Sequence, residues 1–179
     1  TLCNQSSPLW THPYPWQGNQ ADLHSSGCGI FSVVHASQWM TGRSLDPCAL
    51  ADFSVAYGGR GDDGTDRPNL LRAMESRGLA AEFGFRYHGE ELRNDLPALL
   101  DHLSRRLGVV LCNLRPGHIV CLCGVREGGK DAEVLVIDSA SETLNPVLRD
   151  VIVEVLPESA VKKEVRNGRT PLGETVTYA

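Results

Sequence analysis

One segment limits the possible folds more than any other, the run HIVCLCGV from His118 to Val125. Apolar side chains occupy both alternating sets of positions, so neither face of the strand predicted here is polar. A strand of this kind is covered on both faces and lies in the interior of a sheet.

A second constraint is a helix predicted from Cys28 or Gly29 to Thr41, which Gly42 would end. Its apolar residues cover most of its circumference, so this helix is central and buried. Three more helices are predicted, over 46–57 with Asp46 as N-cap and Pro47 at the first helical position, over 66–77 with Thr65 or Asp66 as cap, and over 89–106 with a bend near Pro97.

The remaining strands are predicted from alternation and apolar runs at 80–87, 109–113, 133–138 and 151–156. A hairpin turn over 127–130 would join 118–125 to 133–138. Residues 58–64 are a predicted loop, 1–27 are irregular, and 160–179 carry no clear pattern. The sequence therefore predicts a single α+β domain over 1–179, with a central helix packed on an antiparallel sheet.

Composition excludes some classes of function. The net charge of -5 gives no electrostatic support for a nucleic-acid partner. No apolar run approaches the roughly 20 residues that cross a bilayer. The chain begins at Thr1, so both a secreted or cell-surface location after removal of a signal segment and a cytoplasmic location stay open, as does the oligomeric state. The six cysteines lie mostly in apolar runs, and apart from Cys28 we expect buried, reduced thiols.

Cys28 is the candidate nucleophile because it lies between Gly27 and Gly29 at the predicted start of the buried helix. The unpaired N–H groups and positive dipole end of a helix stabilise a thiolate and can donate to an oxyanion. Glycine on both sides would let a substrate approach the sulfur. We therefore predict that Gly27 and Gly29, with Gly117 beside His118, contact the substrate.

His118 and Asp138 are the candidate base and its orienting carboxylate. His118 begins the central strand after a Pro-Gly turn, and Asp138 ends the strand that pairs with it. The hairpin would place both at the same end of the sheet. A carboxylate there fixes the imidazole for proton transfer with a thiol. The order Cys, His, Asp thus predicts a catalytic triad of Cys28, His118 and Asp138.

The segment S-S-G-C-G-I-F-S, which contains Cys28, resembles the nucleophile motif of bacteriocin-processing peptidases. These are papain-like cysteine peptidases that cut leader peptides after a double glycine, and the similarity is to their free-standing relatives, which lack a transporter. It covers about residues 4–142. Three further stretches carry the resemblance. Gly117-His118-Ile119-Val120 is similar to the family's Gly-His-Phe-Val, and the segment from Gln5 through Trp10 is similar to its Gln-x-Asp-Pro-x-Trp. Gly64-Thr65 is similar to its Gly-Thr, and Arg77-Gly78-Leu79 is similar to its Tyr-Gly-Leu.

The resemblance implies a papain-like fold and an oxyanion-binding Gln upstream of the nucleophile. The usual position, about six residues before Cys28, holds Asp22, which does not donate when ionised. Gln5 matches the motif of the relatives and is the choice made here, with Gln17 and Gln20 as alternatives. Asp138 falls where relatives carry Asp-Pro, but Ser139 follows it in this chain.

The predicted function is a cysteine peptidase or amide hydrolase that acts on a peptide or protein through a thioester and needs no cofactor. One alternative is a papain-like binding module without turnover, and another is an acyl transferase or isopeptidase on the same fold. A zinc site of His118, Cys121 and Cys123 is disfavoured because His118 and the two cysteines face opposite sides of one strand. His35 is disfavoured as the base because two helical turns separate it from Cys28 by about 10 Å.

Overall fold

The computed structural model describes residues 4–89, 96–104, 108–114, 118–127, 132–140, 153–157 and 174–178. Within these ranges the chain combines helices with two antiparallel sheets, which confirms the α+β prediction. No helix in them is long and apolar enough to cross a bilayer.

The helices follow the cap and stop residues of the sequence. They are α1 (Leu23–Ser26), α2 (Cys28–Thr41), α3 (Pro47–Ala56), α4 (Arg67–Ser76), α5 (Leu79–Phe83) and α6 (Leu96–Ser104). The Asp46 side chain accepts from the N–H of Cys48 and caps α3, while Asp66 caps α4 in the same way. Gly42 adopts a φ of 72° and ends α2. The three predicted helices that begin near residues 28, 46 and 66 are confirmed to within one residue at each end.

The strands are β1 (Arg60–Gly61), β2 (Gly64–Thr65), β3 (Phe85–Gly89), β4 (Gly108–Leu114), β5 (His118–Glu127), β6 (Ala132–Ile137), β7 (Val153–Pro157) and β8 (Glu174–Tyr178). The first two form a short hairpin, and the others form one sheet in the order β3-β8-β4-β5-β6-β7 with every pair antiparallel. The prediction of β5 as an interior strand is confirmed. The predicted turn at 127–130 lies almost wholly outside the described residues.

Both faces of β5 are buried, as its sequence predicted. Ile119, Cys121 and Cys123 join the larger core, which includes Ile30 and Val34 of α2. Val120 and Leu122 belong to a second core under Leu103 of α6. The central helix therefore packs on the face of β5 that carries Ile119, Cys121 and Cys123.

Four predictions about the fold are corrected. The strand predicted over 80–87 is α5 followed by β3, because Gly78 and Gly84, at φ of 79° and 82°, bracket a short run of helix-forming residues. The loop predicted over 58–64 contains the hairpin of β1 and β2. The helix predicted over 89–106 does not begin at residue 89, because Gly89 ends β3; its described part is Leu96–Ser104, and the bend predicted near Pro97 adjoins residues 90–95, which lie outside the described part of the chain. Residues 174–178, which showed no pattern, form β8 between β3 and β4.

Candidate active site

Cys28 is the first residue of α2, as predicted, and its thiol is free and partly exposed. The N-cap residue Gly27 has no side chain with which to cap the helix. The N–H groups of the first turn, which have no intrahelical acceptor, are therefore left to bind a negative charge. Cys48, Cys112, Cys121 and Cys123 are in no disulfide, and Cys3 lies outside the described residues. Cys112, Cys121 and Cys123 are buried as predicted, whereas Cys48 is partly exposed, which corrects that expectation for Cys48.

The glycines on either side of Cys28 are explained by packing. A Cβ atom on Gly27 would lie 2.4 Å from the carbonyl oxygen of Leu23, and one on Gly29 would lie 2.3 Å from Cβ of Thr65. Both glycines are buried. Close approach of the chain to itself is thus a sufficient reason for glycine at both positions, and room for a substrate stays a prediction. Contact of Gly27 or Gly29 with substrate stays a prediction, and Gly117 lies outside the described residues.

His118 and Asp138 come together where the hairpin of β5 and β6 opens. Ile137, the last residue of β6, pairs with Cys121, so Asp138 continues towards the start of β5. Nε2 of His118 lies 2.6 Å from Oδ1 of Asp138, and the backbone N–H of Ala140 donates to the same oxygen at 2.9 Å. The two side chains are 26% and 22% exposed, so solvent reaches the pair.

The second ring nitrogen of His118 is available to interact with the Cys28 thiol. Cys28 and His118 shift each other's pKa through a hydrogen bond and through charge, which requires the two side chains to lie close together. Because Nε2 faces Asp138, Nδ1 is the nitrogen left for Cys28. The structure thus brings all three predicted triad residues into one chain of contacts, Cys28 to His118 to Asp138.

These contacts shift the pKa of the thiol downwards. Burial alone raises the pKa of Cys28. Hydrogen bonds from His118 and from the backbone N–H groups of Ile119 and Gly29, together with the charge of His118, outweigh burial, so the pKa lies below its ordinary value. The thiolate is favoured by donors that surround the sulfur.

The partners of the thiol shift in the matching directions. Burial lowers the pKa of His118, but the hydrogen bonds and charges of Asp138 and Cys28 raise it to about 10. Burial raises the pKa of Asp138, but hydrogen bonds from His118 and the Ala140 N–H lower it overall. The arrangement therefore favours a thiolate, an imidazolium and a carboxylate at neutral pH.

Gln5 is held beside this site by residues on both sides of it. Its side chain is only 7% exposed. Oγ of Ser139 donates to Oε1 of Gln5 at 3.0 Å, and the backbone N–H of Gln5 donates to the Ser139 carbonyl at 2.6 Å. Nε2 of Gln5 donates to the carbonyl of His24 at 3.1 Å. The amide oxygen is thus turned towards Ser139, and the amide N–H₂ towards α1, which leads into Cys28.

Ser139 is a residue whose part the sequence did not reveal. It stood out only as a departure from the Asp-Pro of the relatives. Its side chain is fully buried, and its hydroxyl finds its partner in Gln5, 134 positions away, so no feature of the sequence around Ser139 predicted this contact.

The other candidates for the oxyanion Gln are less favoured by the fold. Gln17 and Gln20 are exposed in the turn that precedes α1. Asp22 accepts from the N–H of Ser25 and caps α1, so its carboxylate has a structural partner.

The rival sites do not assemble. His35 is fully buried within α2, where its ring lies 6.5 Å from that of Phe31. Cys121 and Cys123 face the larger core together with Ile119, as the period of the strand predicted. In the described part of the chain, no three His, Cys, Asp or Glu side chains are grouped so as to hold a metal ion.

Comparison of the chain with protein-family models, curated protein sequences and solved structures found no match. The inference about function therefore rests on the geometry of the site.

Proposed function

We propose that this protein is a papain-like cysteine hydrolase that cleaves an amide bond of a peptide or protein through a thioester on Cys28. The observation that carries the proposal is the chain of contacts from the Cys28 thiol through His118 to Asp138, in which Nε2 of His118 lies 2.6 Å from the carboxylate. A structural histidine needs a partner for its ring, but it does not need a thiol at the start of a helix as well.

The first half of the reaction forms the thioester. The Cys28 thiolate attacks the carbonyl carbon, a carbon–sulfur bond forms, and the electron pair of the carbonyl moves to its oxygen. N–H groups at the start of α2 and Nε2 of Gln5 hold that oxyanion. His118 gives its proton to the nitrogen of the leaving amine, and the carbon–nitrogen bond breaks.

The second half releases the acid. Neutral His118 takes a proton from water, the resulting hydroxide attacks the thioester, and the thiolate leaves. Asp138 keeps the imidazole oriented and stabilises its positive charge in both halves. The protonated imidazole beside a thiolate is then restored without a cofactor.

Two observations support Gln5 as the side-chain donor of the oxyanion site. An amide N–H₂ group has two hydrogens, and the His24 carbonyl takes one of them, which leaves the second for substrate. The Ser139 hydroxyl donates to the amide oxygen, so the amide nitrogen is the end that faces α1, the helix that directly precedes Gly27 and Cys28. Only that orientation can stabilise a negative charge.

A covalent cysteine-protease inhibitor, followed by a peptide library, tests the proposal. We expect an epoxide or vinyl sulfone to modify Cys28 and to abolish cleavage of library peptides, which Cys28→Ala also fails to cut. Cys48→Ala is the matched control, because Cys48 is another partly exposed thiol, whose pKa burial raises. Modification of Cys28 with no cleavage, even when amines are added as acyl acceptors, would favour a binding module. Products formed only with added amines would favour acyl transfer.

A further inference from the structure

The nucleophile and the base reach the site from elements that are far apart in the chain. Cys28 is the first residue of α2, and His118 is the first residue of β5. Their separation is therefore decided by how the first turn of α2 lies on the start of β5. A displacement of about 1 Å at such a pair is enough to cost a large factor in rate.

Ser32 connects these two elements. It lies one helical turn after Cys28, and it is fully buried. Its Oγ is 2.8 Å from the carbonyl oxygen of Cys28 and 2.9 Å from the carbonyl oxygen of Ile119. A contact with the carbonyl four residues back is common for a helical serine. The contact with Ile119 joins positions 87 apart in the sequence.

Ile119 meets the first turn of α2 at two points. Its backbone N–H donates to the sulfur of Cys28, and its carbonyl accepts from Ser32. In a strand, the N–H and the carbonyl of one residue point to the same side. One edge of Ile119 therefore contacts both the thiol and the hydroxyl, and the residue before it is His118.

We propose that Ser32 is a positioning residue. Its one hydroxyl hydrogen is shared between the carbonyl oxygens of Cys28 and Ile119 in a three-centre hydrogen bond, which holds the thiol in register with His118 and the Ile119 N–H. The effect of this hydrogen bond on catalysis rests on the proposed function, whereas its effect on the pKa of the Cys28 thiol does not. A serine that merely satisfies a buried carbonyl would stabilise the fold and leave the titration of Cys28 unchanged. The two roles are thus separable by experiment.

The pH dependence of iodoacetamide alkylation at Cys28, resolved by mass spectrometry, is the measurement. In Ser32→Ala we expect the pH midpoint to rise by about one unit, which lowers the alkylation rate by about tenfold at pH values below the wild-type midpoint. Among the described residues, the titratable groups that interact with the thiol are His118 of β5 and Tyr14 of the N-terminal segment. Neither is changed by the substitution.

Ser37→Ala is the matched control. Ser37 lies in the same helix, is also fully buried, and donates to the carbonyl of Arg43 at 2.9 Å, away from the site. Its substitution removes the same kind of hydrogen bond and should leave the Cys28 midpoint at the wild-type value. Ser32→Thr keeps a hydroxyl and should return the midpoint towards wild type. Each variant is measured in an osmolyte such as trimethylamine N-oxide, which favours the folded state.

The proposal is overturned if folded Ser32→Ala titrates like wild type, if Ser37→Ala shifts the midpoint as much, or if Ser32→Thr behaves like Ser32→Ala. Failure of the proposed function has another signature, since it would show as a wild-type Cys28 that alkylates no faster than Cys48. The difference between wild type and Ser32→Ala decides the role of Ser32 in either case.

Discussion

Two regions of this protein hold thiols whose pKa burial alone would raise, and the net shifts of these pKa values are opposite. At the start of α2 the pKa of Cys28 is lowered despite burial. In the middle of β5, burial raises the pKa of Cys123 to about 12, and burial with the neighbouring Cys123 raises that of Cys121 well above its usual range. Removal from water therefore does not by itself decide which thiol becomes reactive.

The hydrogen bonds around each sulfur account for the difference. Cys28 receives hydrogen bonds from His118 and from two backbone N–H groups, all of which favour the thiolate. The sulfur of Cys123 instead donates to the carbonyl of Leu135 at 3.6 Å, which favours the protonated thiol. One strand, β5, thus contributes the proposed base of Cys28 and two thiols whose pKa is raised.

The largest effect should come from removal of the activated thiol. We expect Cys28→Ala to lower kcat/KM for a peptide substrate on the order of 10⁴-fold or more, since the nucleophile acts as a unit with its base. Cys48→Ala should keep wild-type activity. Steady-state kinetics check both, and substantial turnover in Cys28→Ala would contradict the assignment of the nucleophile.

Removal of the base should make Cys28 resemble the thiols of β5. We expect His118→Ala to lower kcat on the order of 10³-fold, and to raise the pH midpoint of Cys28 alkylation because a donor that stabilises the thiolate is gone. His12→Ala is the control, because Nε2 of His12 also lies beside a carboxylate, 2.7 Å from Oδ1 of Asp52, but on the surface. An unchanged Cys28 midpoint in His118→Ala would contradict the claim that hydrogen bonds distinguish Cys28 from the thiols of β5.

Loss of the oxyanion donor should affect turnover and leave the thiol alone. We expect Gln5→Ala to lower kcat by about 10²–10³-fold, with little change in KM or in Cys28 alkylation. Gln20→Ala, at an exposed position, serves as the control. A fall in activity with Gln20→Ala and none with Gln5→Ala would assign the oxyanion role to Gln20 and not to Gln5.

Asp138→Asn should have a smaller effect, visible mainly in the pH profile. An Asn oxygen can still accept from His118, so kcat should fall by only about 10–10²-fold. Because the Asp138 carboxylate is a leading cause that raises the pKa of His118 to about 10, the alkaline limb of kcat should move to lower pH. Asp52→Asn should leave that limb in place, and an unmoved limb in Asp138→Asn would refute this role of the carboxylate.

The smallest effect concerns stability. The folded protein holds the His118 proton up to a pKa of about 10, compared with 6.5 for the free side chain, so this contribution is complete below pH 6.5 and is lost as pH rises through about 10. We expect His118→Gln to lower the free energy of unfolding on the order of 1–3 kcal/mol near pH 6 and less near pH 10. Denaturant titration at the two pH values measures this, and an equal or larger loss at high pH would contradict it.

Local signals in the sequence account for much of the fold and for the choice of the three residues in the proposed triad. Asp46, Asp66 and Gly42 fixed helix ends, and the two apolar faces of 118–125 fixed the interior strand. The alternation at 80–87 was misleading because Gly78 and Gly84 impose a short helix there. β8 could not be predicted, since a short strand inserted between β3 and β4 depends on pairing with residues far away in sequence.

The hydrogen bonds that hold the residues around the proposed triad could not be predicted either, because their partners lie far apart in the sequence. The bonds from Ser139 to Gln5 and from Ser32 to Ile119 span 134 and 87 positions, and a single serine carries no local sign of such a partner. Cys28 and His118 were predictable because a helix start and a strand start are local features.

Site-resolved alkylation of the wild-type protein with iodoacetamide near neutral pH tests the central claim most directly. Cys28 and Cys48 are both partly exposed, but the pKa of Cys28 is lowered and that of Cys48 is raised. We therefore expect Cys28 to react at least about tenfold faster than Cys48. Equal rates for the two thiols, or faster reaction of Cys48, would contradict an activated nucleophile at the start of α2.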